Sequence, residues 1–261
     1  MRQNCLAVLC LLAICATATP SAVAEEAPLV AAASDVQFAL RDIEKNYTAE
    51  TGETLRLTFG SSGNFARQIS AGAPIELFLA ADERYVADLA RAGLTRDGGA
   101  LYAVGRLALA VSKDSPLKPD GTLEDLRAAL HDGRLRKFAI PNPVHAPYGE
   151  RAKQVLERLG LWGDIESRLV LGENVSQAAQ FATSGAADGG IIAYALTLAP
   201  EVAERGLFAP IPSEWHTPLR QRMVLMKPAG AGAERFYTYL QGPTARSLLE
   251  KWGFTLPVEG K

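Results

Sequence analysis

Four short stretches place small, hydroxyl-bearing or amide-bearing residues where a strand gives way to a helix. They are Ala33–Ser34–Asp35, Gly60–Ser61–Ser62–Gly63–Asn64, Ala146–Pro147–Tyr148–Gly149 and Asn174–Val175–Ser176. The first turn of a helix leaves backbone N–H groups without partners and carries the positive end of the helix dipole, so it can hold an anion without lysine or arginine. Each terminus is worth roughly +0.5 charge, and four that converge would supply roughly +2, enough for a dianion. Serine and tyrosine hydroxyls add directional donors. Taken singly, Ser34 and Asn174 read as helix N-caps, and Gly60–Gly63 as a tight turn whose glycines permit close approach of backbone. Repetition of the device is what points to anion binding. Asp35, Glu150 and Glu173 place carboxylates beside three of these junctions. Facing inward they would repel an anion, so they are expected to face outward, where they favour the dipole.

Other chemistries lack their residues. His131, His145 and His216 show no metal-ligand spacing, and neither H-E-x-x-H nor C-x-x-C occurs. The glycine-rich stretch is not followed by G-K-[ST], and no G-x-S-x-G elbow is present. His145 reads as a loop histidine near a cleft; the rival reading makes it the base of a cleft hydrolase acting with a serine.

The N-terminus reads as a secretory signal: Arg2, an apolar run from Cys5 to Ala16, then Ala22–Val23–Ala24, with cleavage expected after Ala24. The run is shorter than the ~20 residues a membrane span needs. All three cysteines, Cys5, Cys10 and Cys15, fall inside it, so disulfides and thiolate sites are not expected in the exported chain. Ile14 before Cys15 argues against a lipid anchor there. Removal of the segment would leave 237 residues and take Arg2 with it, moving the formal charge from −2 to −3. Such a chain carries no basic footprint for nucleic acid, so an anion site must be built locally.

The elements that would position these junctions alternate in type. Strands are expected over 29–33, 54–59, 75–80, 106–112, 138–140, 169–171, 190–192 and 222–226. Helices are expected over 36–50 and 65–71, after a cap at Asp82, after a Thr122/Asp125 capping box, along the Ala152–Val155–Leu156–Leu159 stripe, and twice near the C-terminus. Alternation of this kind indicates an α/β protein with largely parallel sheets.

The segment Phe59–Asp82, F-G-S-S-G-N-F-A-R-Q-I-S-A-G-A-P-I-E-L-F-L-A-A-D, resembles the signature of the periplasmic molybdate-binding proteins. A-A-A-S at Ala31–Ser34, N-P-V-H-A-P-Y-G at Asn142–Gly149, E-N-V-S-Q at Glu173–Gln177 and Y-L-Q-G-P at Tyr239–Pro243 are similar to that family as well. The resemblance implies a two-lobed receptor of the class II periplasmic-binding type. One lobe would be formed by residues 25–105 with 223–261, the other by 106–222. Each lobe would be a mostly parallel sheet flanked by helices, with the ligand in the cleft between them. It further implies a periplasmic monomer that binds and does not catalyse, takes no cofactor, and passes molybdate or tungstate to the membrane subunits of an ABC importer. Ser34 and Ser62 would contact the oxyanion from one lobe, Tyr148 and the Val175 N–H from the other; these residues meet the oxygens of molybdate, not the metal. Where many members carry a ligand tyrosine late in the second lobe this chain has Ala193; a second subgroup uses a tyrosine in the A-P-Y-G loop, and by that resemblance Tyr148 would supply the phenol instead. Another tetrahedral oxyanion, sulfate or phosphate, is the alternative cargo.

Overall fold

The computed structural model describes residues 26–257. The cleavage site expected after Ala24 and the three cysteines lie outside them. β1 (Leu29–Ala33) shows why its sequence is apolar throughout. Val30 and Ala32 pack with one core and Ala31 with another, because a central parallel strand is covered on both faces.

Ten strands form two five-stranded sheets. In the first, β1 runs parallel to β2 (Arg56–Gly60) and β3 (Leu77–Ala80), while β10 (Leu219–Leu225) lies antiparallel between β3 and β4 (Ala100–Gly105). In the second, β6 (Phe138–Pro141) runs parallel to β7 (Leu169–Gly172) and β8 (Gly189–Ala193), while β5 (Leu107–Ser112) lies antiparallel between β8 and β9 (Gly206–Pro210). One strand in each sheet therefore runs against the rest. In both sheets it is the strand next to a crossing between lobes. The chain leaves the first sheet after Gly105 and re-enters it at Leu219.

The flanking helices are α1 (Gln37–Thr51), α2 (Ser62–Ser70), α3 (Glu83–Arg91), α4 (Glu124–Asp132), α5 (Pro147–Arg158), α6 (Trp162–Ile165), α7 (Val175–Thr183), α8 (Tyr194–Thr197), α9 (Pro200–Ala203), α10 (Ala231–Leu240) and α11 (Pro243–Lys251). Leu40 and Ile43 of α1, Phe236 of α10 and Leu249 of α11 share a core with Val30 and Leu79; α2 and α3 cover the other face through Phe65, Ile69, Val86 and Leu89. Among the described residues no helix is long and apolar enough to cross a membrane.

Three expectations change. The helix expected from Phe65 begins at Ser62, which moves that serine out of a loop and into the first helical turn. The strand expected from Arg222 begins at Leu219, so a lobe division at 223 falls inside β10. Gln221 is already buried and paired with Ala103 of the first sheet. The Thr122/Asp125 capping box is absent. Asp120 instead accepts from the N–H groups of Thr122, Glu124 and Asp125, because Leu123 adopts a left-handed conformation at the helix start. Asp82 caps α3 as expected, accepting from the Arg84 N–H at 3.0 Å.

Candidate functional site

The residues singled out on both lobes meet at one small cavity. From the first lobe come Ala33 ending β1 with Ser34 and Asp35 after it, Gly60 ending β2 with Ser61 and Ser62 after it, and Ala81 after β3. From the second come Ala146, Pro147 and Tyr148 entering α5, and Val175 opening α7. The junctions lie at the carboxyl ends of parallel strands, where open α/β sheets leave a crevice. No lysine, arginine or histidine lines the cavity, and Asp35 is the one carboxylate in it.

Ser34 is buried, and its side chain makes no cap; Ala33 occupies the cap position. Ser34 reaches across the cleft: the Ser176 hydroxyl donates to its carbonyl at 3.1 Å, and the Ser176 N–H to its Oγ at 3.4 Å. Ser62 is fully buried at the start of α2, and its Oγ accepts the Ala81 N–H at 2.9 Å. That bond leaves the hydroxyl proton of Ser62 to be directed elsewhere. Val175 opens α7, behind the cap that Asn174 forms by accepting the Gln177 N–H. Ala193 is buried at the end of β8 and does not line the cavity; Tyr194 turns away, its ring 4.3 Å beneath the Arg106 guanidinium.

Tyr148 lines the cavity, but its single proton is already committed. The phenol donates to Asp35 Oδ2 at 2.9 Å, and Gln221 Nε2 donates to the same oxygen at 2.5 Å. Tyr102 in turn donates to Gln221 Oε1 at 2.6 Å. This network passes beside the first crossing between lobes. A β-carbon on Gly105 would overlap both the Tyr148 hydroxyl and the Gln221 amide.

The expectation that Asp35 faces outward is therefore wrong. It is 2 % exposed, and its Oδ1 makes no well-formed hydrogen bond among the described residues. The three-residue turn between β1 and α1 aims the side chain at α5 and β10 instead of at solvent. Burial pushes its carboxyl up to about 6, against donation from Gln221, Tyr148 and the backbone N–H groups of Asp35 and Val36. Burial also holds the Tyr148 and Tyr102 phenols well above their usual range, and the Asp35 charge adds to this. Glu150 and Glu173 do face outward. Glu150 pairs with Arg84 and Arg151 at the rim, and Glu173 is 71 % exposed.

Above the cavity the lobes are joined by charge and by close backbone approach. Arg151 of α5 donates to Asp82 at 2.6 Å and to the Thr217 carbonyl at 3.0 Å. Arg84 of α3 forks onto Glu150. The Gly63 N–H donates to the His145 carbonyl at 2.9 Å, and a β-carbon at Gly63 would stand 2.7 Å from that oxygen. His145 Nδ1 shares a hydrogen bond with Ser61 Oγ at 2.9 Å, while Nε2 lies 3.7 Å from Glu173. Burial holds this imidazole below its ordinary value, with Glu173 opposing the shift. The described residues contain no cluster of three metal-ligating side chains.

Gln221, Tyr102 and Arg151 escaped the sequence reading. Arg151 left a signal, since it lies on the buried stripe of α5 with Tyr148 and Val155. Gln221 and Tyr102 left none, because their partnership spans 119 residues.

Residues 28–255 match the family of bacterial extracellular solute-binding proteins. A molybdate-binding protein of Azotobacter vinelandii is 34 % identical over 87 % of this chain and 89 % of its own length. One from Rhodobacter capsulatus is 32 % identical over 91 % of this chain and 90 % of its own. The solved structure of an Azotobacter vinelandii periplasmic molybdate-binding protein superimposes with a TM-score of 0.80. It is 31 % identical and covers 88 % of this chain and all of that one.

Proposed function

Because this chain belongs to the bacterial extracellular solute-binding proteins, with molybdate-binding proteins among its relatives, we propose that it is the receptor of a molybdate importer. It captures molybdate, and tungstate with it, between its lobes and delivers the anion to the membrane permease of an ABC transporter. In this reading the chain is exported to the periplasm, loses its leader after Ala24, acts as a monomer, and carries out no catalysis.

The observation that carries the reading is the convergence of Ser34, Ser62, Tyr148 and Val175, from both lobes, on one small buried cavity without a cation. Neutral donors and helix starts are the means by which such a cavity holds a dianion. Hydroxyl and N–H groups fixed by packing need little rearrangement when the anion arrives, and closure excludes the water that would compete with them. Sulfate has the same charge and shape as molybdate, so cavity size must discriminate between them.

Calorimetry with molybdate, tungstate, sulfate and phosphate tests the reading. Molybdate and tungstate should bind at least ten-fold more tightly than sulfate, and sulfate binding as tight as molybdate would sink the choice of cargo. Ser62→Ala should weaken molybdate by about 1.5–3 kcal/mol, the usual cost of losing a hydrogen bond to a charged group. A second cargo is favoured by one observation. Asp35 supplies an acceptor at the cavity, which suits a singly protonated anion such as hydrogen phosphate, and the same titration separates the two. The cleft-hydrolase reading has the Ser61–His145 contact in its favour. Ester turnover that disappears in His145→Ala would establish it.

A further inference from the structure

A site for anions has been built around a carboxylate. Asp35 touches the cavity, is 2 % exposed, and meets no cation there. We propose that Asp35 determines which form of oxyanion the site accepts: each fully deprotonated anion binds together with one proton, and that proton is held on Asp35 Oδ1. The inference rests on the oxyanion-receptor reading above and specifies the protonation state of that same site.

Geometry assigns the proton to this oxygen. Oδ2 already accepts from Tyr148 at 2.9 Å and from Gln221 at 2.5 Å. Oδ1 is buried and lacks a well-formed bond, so it is the atom free to carry a hydrogen and to donate it. An ionised Asp35 beside a dianion would place two like charges in a desolvated pocket, which drives one of them to take up a proton. Molybdate is fully deprotonated at neutral pH, so the proton comes from solvent and resides on the carboxyl. Binding then converts a repelling acceptor into a donor.

The surroundings leave few other places for it. α5 presents Tyr148 to Asp35, β10 presents Gln221, and β4 presents Tyr102 behind it; both phenols are already protonated. α7 brings Val175 and Ser176 against the same turn. From α8 the ionisable group is Tyr194, which is paired with Arg106. Burial already pushes the Asp35 carboxyl up to about 6 before any anion adds its charge. His145 is the rival proton acceptor, one contact further out on Ser61.

The test is calorimetry of the exported chain with sodium molybdate between about pH 5 and about pH 8, in buffers of contrasting ionisation heat. Near pH 8 each molybdate should bring in about one proton, and near pH 5 almost none. Above about pH 6 the affinity should fall towards ten-fold per pH unit, the slope of a single linked proton. Infrared difference spectra should show the carbonyl stretch of a protonated carboxylic acid when molybdate binds near pH 8. In Asp35→Asn that band should be missing, proton uptake should vanish and the affinity should be flat, exceeding the wild type by roughly a hundred-fold near pH 8. Wild-type binding without proton uptake overturns the proposal whether or not the variant folds. Uptake that persists in Asp35→Asn overturns it too, and moves the proton to His145. Absence of molybdate binding at every pH would defeat the receptor reading and this inference together, whereas tight binding without uptake defeats the inference alone.

Discussion

The rim and the floor of the cleft use carboxylates in opposite ways. At the rim, Asp82 and Glu150 meet the guanidinium groups of Arg84 and Arg151. At the floor, Asp35 meets a phenol and an amide and keeps one oxygen without a good partner. Both arrangements draw the lobes together, but they respond differently to a charge arriving between them. A paired carboxylate is neutralised in advance and gives an anion little to repel. An unpaired one stays sensitive to every further negative charge and to pH. The rim therefore supplies cohesion that does not depend on cargo, and the floor supplies a response to the cargo.

The strongest way to break this contrast is to remove the rim's buried cation. In the Arg151–Asp82 pair the two side chains are 5 % and 8 % exposed. Arg151→Met should cost about 3–5 kcal/mol, the usual penalty for leaving a buried charge unpaired. Urea unfolding measures this directly, and a wild-type midpoint would show that the rim contributes no cohesion.

Asp35→Asn tests the floor in the unliganded protein, and here the sign is opposite. Its folded value, near 6, lies above the ordinary 3.8. The wild type is therefore favoured when Asp35 is protonated, below about pH 4, and loses stability as pH rises through about 6. The loss levels off at about 3 kcal/mol by neutral pH. The variant should thus gain up to about that much near pH 7.5 and nothing near pH 4. Unfolding midpoints at the two pH values decide this, and equal differences at both would mean that burial does not raise the Asp35 carboxyl above its ordinary value.

The smallest effect sharpens the rim itself. Arg84 is 46 % exposed and its partner Glu150 28 %. Arg84→Gln should cost at most about 1 kcal/mol, most of it removed by salt. A larger loss, unaffected by salt, would give the two rim arginines equal standing.

Much of this was legible in the residues. The A-R-Q-I and G-A-P signature lies on α2 and the turn leading to β3, and local periodicity located both elements. The four junctions were visible because strand ends and helix starts are marked by small and hydroxyl-bearing residues within a few positions of each other. Ser62 was placed in a loop because the two glycines around the serines mask a helix start, while the Ala81 N–H that its Oγ accepts lies just past β3, 19 residues away in the chain.

The chain by itself determined the alternation of elements, the placement of Ser34, Tyr148 and Val175 at helix starts, and the absence of nucleophile and metal motifs. All of these follow from periodicity and capping over a few residues. Only the tertiary structure decided which way Asp35 points. Its two partners lie 113 and 186 residues away in the chain. The same carboxyl is an outward helix-dipole partner if those residues are elsewhere, and an inward acceptor once β10 and α5 close over it. Solvent exposure and partner geometry settle that choice, and neither is encoded in the neighbours of residue 35.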